Sequence, residues 1–184
     1  MTAHWYALHV KPHNERYVHH RLSSPENLAS LFRVEAASVS IESFFPAVRV
    51  KPANPRASKI RPYFPGYLFV HADLEILGGS AFNWIPGVHG LVRYGDEPAV
   101  VPDSLIHDLK DRMAQLDAAG VLRVDKFKPG ETVRITGGPF TGYEAIFDAR
   151  LPGKDRVQVL LAFLSSHPQR VQLAADDLEK VKKP

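Results

Sequence analysis

The chain has 184 residues, 45% hydrophobic and 23% charged, which fits one or two folded domains and excludes a disordered or fibrous polypeptide. It contains no cysteine, so disulfides, thiol nucleophiles and thiolate metal sites drop out together, and no apolar run approaches the ~18 residues of a membrane span. The net charge of +3 is unevenly spread: residues 11–72 carry nine Lys/Arg against four Asp/Glu, residues 73–118 three against eight. The amino-terminal portion is therefore electrically dipolar, a weak pointer to an anionic partner. Met1 to Trp5 has no basic region leading into an apolar one, so a cytoplasmic protein is expected.

Trp5 to Val10 is aromatic and branched and stops at Lys11-Pro12, which predicts a first strand. Pro12 suits a helix start, with Val18 and Leu22 four apart on one face; Leu28, Leu31 and Phe32 then predict a second short helix over about 26–35. Ile41 to Val50 reads as strand interrupted by Pro46. The segment Lys51 to Arg61 carries four positive charges and no acid, and predicts a solvated loop or hairpin tip. Tyr63 to Val70 is a strongly apolar strand entered through Pro65-Gly66, and Gly87 to Tyr94 a fourth strand. Pro102-Asp103 opens an amphipathic helix carrying Leu105, Ile106, Leu109, Met113 and Leu116. Four strands and two or three helices make one α+β domain over 1–118, followed by a linker over 119–127.

Beyond it, 128–184 shows short alternating segments separated by turns at Gly137-Gly138-Pro139 and Pro152-Gly153, which predicts a small β-barrel. Its strands would include Glu131–Thr136, Glu144–Phe147, Arg156–Leu160, Arg170–Leu173 and Leu178–Val181. Val159 to Leu164 is apolar throughout and rich in helix formers, so local sequence leaves both strand and helix open there.

No catalytic constellation emerges. Gly137 to Gly142 lacks the Lys-Ser/Thr of a phosphate loop, and Ser80 lacks a Gly-x-Ser-x-Gly elbow. His9 and His13 straddle Pro12, His19 and His20 are adjacent, and none has a carboxylate partner at zinc-ligand spacing. Neither an enzyme nor a metal or other cofactor is expected. Phe64, Tyr67 and Phe69 alternate imperfectly with Leu68 and Val70, so the aromatic set is either core or one uncovered, partner-binding face.

Trp5-Tyr6-Ala7-Leu8, the strand Phe64-Pro65-Gly66-Tyr67-Leu68-Phe69-Val70, and the run Gly130 to Ile135 followed by Gly138, Phe140 and Gly142 of a KOW motif stand in the order of NusG-type transcription elongation factors, which the chain resembles along nearly its whole length. Gly87 to Gly95, Pro98 to Pro102 and Gly142 to Phe147 look more like the specialised RfaH-like paralogs than the housekeeping factor. The resemblance implies an α/β sandwich with a four-stranded antiparallel sheet (an NGN domain) and an SH3-like KOW barrel. It implies that Phe64, Tyr67 and Phe69, with Leu91 and Tyr94 from the next strand, contact the clamp helices of the largest RNA polymerase subunit. A second polymerase contact would fall at Gly78, Gly79 and Ser80, where specialised members often carry a His-Thr-Thr type sequence that this chain lacks. Lys11, Arg16, His20 and Arg21 of the first helix are available to non-template DNA, although they do not reproduce the family pattern and a solvated helix face explains them equally well.

The implied activity is binding: holding the closed, elongating polymerase and reducing pausing or termination. The KOW barrel would recruit a small-subunit ribosomal protein or Rho. In some specialised members this domain instead packs as a helical hairpin over the polymerase-binding face; residues 159–164 permit that state, but the barrel is the expected form. A monomer without membrane contact is expected. The competing reading is an RNA-binding, ribosome-associated KOW protein acting in translation; a histidine-based enzyme is the weakest alternative.

Overall fold

The structure, a computed structural model, describes residues 3–32, 40–50, 56, 58–118 and 152–166. Its centre is β1 (His4–Val10), whose residues Trp5 to Leu8 and Val10 are all buried. On one side β1 pairs antiparallel with β5 (Tyr67–Ala72) along His4 to His9, and β5 in turn pairs with β2 (Glu42–Phe44). Its other edge is shared: Leu8 to Val10 pair with β6 (Val88–Leu91), and Trp5 and Tyr6 with β9 (Val100–Val101). Two hairpins stand off this sheet, β3 (Ala47–Arg49) with β4 (Ile60–Pro62), and β7 (Arg93–Tyr94) with β8 (Glu97–Pro98). The fold is thus α+β with antiparallel sheets, and β9 adds a fifth strand to the expected four.

Because side chains alternate across a strand, the sheet has two different faces. Tyr6, Leu8 and Val10 join Leu68, Val70 and Ala72 in a core closed by α1 (Glu15–Leu22), α2 (Pro25–Phe32) and a 3₁₀ turn at Ala81–Trp84. Trp5, Ala7 and Phe69 join a second core closed by α4 (Asp103–Ala118) and by α5 (Gly153–Ser166). The alternation read in Phe64 to Val70 therefore separates the aromatic set from Leu68 and Val70. A short helix α3 (Leu74–Leu77), capped by the Asp73 side chain accepting from Glu75 N at 3.0 Å, follows β5.

Several boundaries differ from expectation for local reasons. The first helix begins at Glu15 rather than at Pro12, since residues 11–14 form a turn in which Asn14 N donates to Lys11 O and His13 takes a φ of +67°. Pro46 divides the 41–50 segment into β2 and β3. The tip of the β3–β4 hairpin, with Lys51 and its prolines, lies outside the described residues. The largest difference is at 156–160: the expected barrel strand is a helical turn of α5. Arg156, Leu160, Phe163 and Leu164, all buried, recur at i, i+4, i+7 and i+8, a stripe that only a helix presents to one side. Pro152 sits just ahead, its carbonyl accepting from Asp155 N and Arg156 N. The remaining expected strands of 128–184 and the KOW residues Gly138, Phe140 and Gly142 lie outside the described residues.

The loop into β5 is fixed by a buried carboxyl side chain. Gly66 holds a φ of +82°, which glycine adopts without strain, and its N–H donates to Glu15 Oε1 at 2.8 Å. Glu15 is buried. Glu15→Ala is expected to cost about 1–3 kcal/mol by leaving that amide without its acceptor, whereas Glu15→Gln keeps most of the bond; urea unfolding of the two variants separates them.

Candidate functional site

The aromatic face is assembled by chain segments on either side of Pro65-Gly66. Phe64 and Phe69 are fully buried and meet edge to face at 5.9 Å, Tyr63 packs edge-on to Phe64 at 5.2 Å, and Phe44 stacks on Phe69 at 6.1 Å. Tyr67, one face-step along β5, is half-buried and stacks on His9 at 4.8 Å, and His9 in turn lies 4.6 Å from His89. His89 stands at a register shift in the β1–β6 ladder, which brings the two imidazoles to the same place. Burial, with a smaller contribution from the neighbouring His89, lowers the pKa of His9; burial raises that of Tyr67.

This face is not open. α5 lies on it, with Leu160, Phe163 and Leu164 in the same core as Phe64 and Phe69. Polar contacts reinforce the apolar ones. The Arg156 side chain is buried, donates from Nε to the Tyr63 carbonyl at 2.8 Å and places its guanidinium 4.2 Å from the centre of the Tyr63 ring. The Tyr94 hydroxyl donates to the Leu161 carbonyl. At the start of the helix Gly153 approaches so closely that a Cβ there would lie 2.7 Å from Pro65 Cγ. A cleft of about 280 Å³ remains beside α5, lined by His9, Tyr67, His89 and Leu161 among others.

Of the residues singled out for a polymerase contact, Phe64, Tyr67, Phe69 and Tyr94 are thus brought together, all against or beside α5. Leu91 is not: it packs in the opposite core with α1 and α2. Gly78 to Ser80 lie apart, next to the β7–β8 hairpin, where Arg93 donates to the carbonyls of Gly79 and Asp96 and a cleft of about 400 Å³ opens between Tyr6, Leu74, Arg93 and Pro98. A Cβ on Gly79 would meet Arg93 Nη2 at 2.6 Å, so that segment has room for glycine only while the arginine stays in place. Lys11, Arg16 and His20 are exposed on the far side of the sheet, with Arg21 half-buried. Arg156, Gly153, Arg93 and Trp84 are additions; the helical spacing of 156, 160, 163 and 164 was the signal for the first.

Among the described residues no group of three or more His, Asp or Glu could hold a metal ion, and no helix is long and apolar enough to cross a membrane.

The site is a sheet face on which an amphipathic helix of the same chain is seated. The lineage of the chain follows from comparison with known proteins. A family model for NusG, described as transcription termination factor nusG, matches residues 3–110. The chain belongs to the NusG family and is a transcription termination/antitermination factor of that family. Among its relatives, the transcription termination/antitermination protein NusG of Pseudomonas aeruginosa is 29% identical over 185 residues, covering 98% of this chain and all of the relative. The protein of the same name from Deinococcus radiodurans is 26% identical, covering 88% of this chain and 91% of its own. A solved structure titled "Domain interaction in Thermotoga maritima NusG" aligns over 76% of each chain at 23% identity with a TM-score of 0.41.

Proposed function

We propose that the face formed by Phe64, Tyr67, Phe69 and Tyr94 binds the clamp helices of the largest RNA polymerase subunit, and that α5 holds this face closed until the polymerase displaces it. The observation that carries the reading is the seat of α5: a face that accepts an amphipathic helix from its own chain has the shape and apolarity to accept helices of a partner. Bound there, the amino-terminal domain bridges the clamp and holds the closed, elongating state to the extent that it binds that state more tightly than the open one. Pausing and termination fall as a result. Gly78 to Ser80 and the neighbouring Arg93 are the candidate for a second polymerase contact, and the outward face of α1 faces the non-template DNA. Once α5 leaves, the segment 128–184 is free to form the KOW barrel and recruit a small-subunit ribosomal protein or Rho, the behaviour of an RfaH-like paralog.

Tyr67 is the residue on which to test the contact, because it lies on the face yet is only half-buried. In the full chain, Tyr67→Ala is expected to weaken binding to a reconstituted transcription elongation complex by about tenfold, as for a moderate interface hot spot. Binding unchanged by the substitution would remove the aromatic face from the interface.

A further inference from the structure

Trp5 and Ala7 of β1 point into the core beneath α5, and the alternation of the strand puts His9 on the same face, exposed at its rim. On the neighbouring strand, His9 pairs with Gly90 and Val10 with Val88, so His89 is the residue that the ladder passes over. In a regular ladder His89 would stand opposite Val10, whose side chain points into the other core. The bulge instead brings its ring to that of His9, with centroids 4.6 Å apart and planes inclined by 32°. Both imidazoles are exposed, and neither makes a hydrogen bond to a described residue. The cleft of about 280 Å³ beside them has no Asp or Glu in its lining. Arg93 also reaches this cleft, but its guanidinium is engaged by the carbonyls of Gly79 and Asp96.

We propose that His9 and His89 form a two-histidine site for a borderline-soft divalent cation of the Zn²⁺ class, which joins β1 to β6 beside Tyr67 and completes its coordination with water. Imidazole nitrogens hold Zn²⁺ at about 2.0–2.1 Å, so two rings on one ion have centroids about 4.5–5.3 Å apart, the separation that the bulge sets here. Burial and the neighbouring His89 lower the pKa of His9, so at neutral pH its ring keeps a lone pair that protons do not occupy. Two neutral nitrogens without a carboxylate select against hard cations such as Mg²⁺ and Ca²⁺, which need oxygen ligands, and in favour of ions that imidazole suits. The pair comes from strand pairing between distant segments, which is why no local spacing in the sequence shows it. The site goes beyond the proposed polymerase contact and does not depend on it.

The test is calorimetric titration of the full chain with ZnCl₂ at neutral pH, with MgCl₂ as the hard-ion comparison, together with long-range ¹H–¹⁵N spectra of the histidine side chains. The expected result is a tightest site of one Zn²⁺ per chain, with the ring resonances of His9 and His89 moving together. His9→Gln and His89→Gln are each expected to weaken that site by at least about tenfold, the loss typical of removing even an outer-shell partner. Both positions are exposed, so neither variant empties a core. His107→Gln, on the exposed side of α4, is the control and leaves the titration unchanged. No Zn²⁺ binding by the wild type, an equal response to Mg²⁺, or wild-type affinity in either His9→Gln or His89→Gln would overturn the assignment. Since no polymerase is present, the outcome is independent of the Tyr67 experiment.

Discussion

Leu160→Asp in the full chain is expected to raise affinity for a reconstituted elongation complex by about 10- to 100-fold. Leu160 is fully buried between α5 and the aromatic face, and Phe163 and Leu164 beside it are 5% and 2% exposed. Each such side chain contributes about 1.5–3 kcal/mol of apolar burial to holding the helix down. A carboxylate in the middle of that seam has no partner there and drives the helix off, because leaving it in place means burying an unpaired charge. If the docked form dominates, the measured affinity of the wild type is reduced by the fraction of molecules that are open, and releasing α5 restores it. Gly153→Val reaches the same state by a different route, since its Cβ would collide with the Pro65 ring. Fluorescence anisotropy of a labelled chain against the complex measures both. Affinities equal to wild type in both variants would mean that α5 does not compete with the polymerase.

Phe69→Ala is expected to destabilise the amino-terminal domain by about 3–5 kcal/mol in chemical unfolding. Phe69 is fully buried, stands opposite Phe44 in the β5–β2 ladder, and packs its ring against both Phe44 and Phe64. The cavity left by its ring is enclosed by the sheet and α4 as well as by α5, so undocking the helix does not relieve it. The same holds in kind for Phe64. A loss of polymerase binding in either variant would therefore mix folding with recognition, which is why Tyr67 carries the functional test. A Phe69→Ala variant with wild-type stability would show that this ring belongs to a loosely covered surface rather than to the core.

The amino-terminal fold was legible because its signals are local and agree with one another. The aromatic and branched run 5–10, the apolar run 63–70, the Pro102-Asp103 helix start and the 105/106/109/113/116 stripe recur in β1, β5 and α4. The short strands β7 to β9 carry two residues each, too few for any periodicity to show. α5 was missed for a different reason. Val157 and Val159 favour a strand by propensity and alternation, while Leu160, Leu161, Ala162 and Leu164 favour a helix, so the segment is balanced and its partner decides. The partner is the aromatic face, which no local window contains. The spacing of Phe64, Tyr67 and Phe69 left core and uncovered face both open; the structure puts Phe64 and Phe69 in a core, closed in part by residues some ninety positions away that no local window contains. The resemblance put Leu91 on that face as well, whereas the register shift at His89 sets it opposite Leu8 and so in the other core.

The central claim, that α5 and the polymerase compete for one face, is tested most directly by a reversible lock. The chain has no cysteine, so the double variant Pro65→Cys/Gly153→Cys has one possible disulfide, across the point where α5 starts and the two residues nearly touch. Binding to the elongation complex is measured in the oxidised form and again after reduction, each form serving as the other's control. The account predicts little binding when oxidised and full binding when reduced. Equal binding in the two forms would contradict it, because a face fixed under α5 would then be bound as readily as a free one.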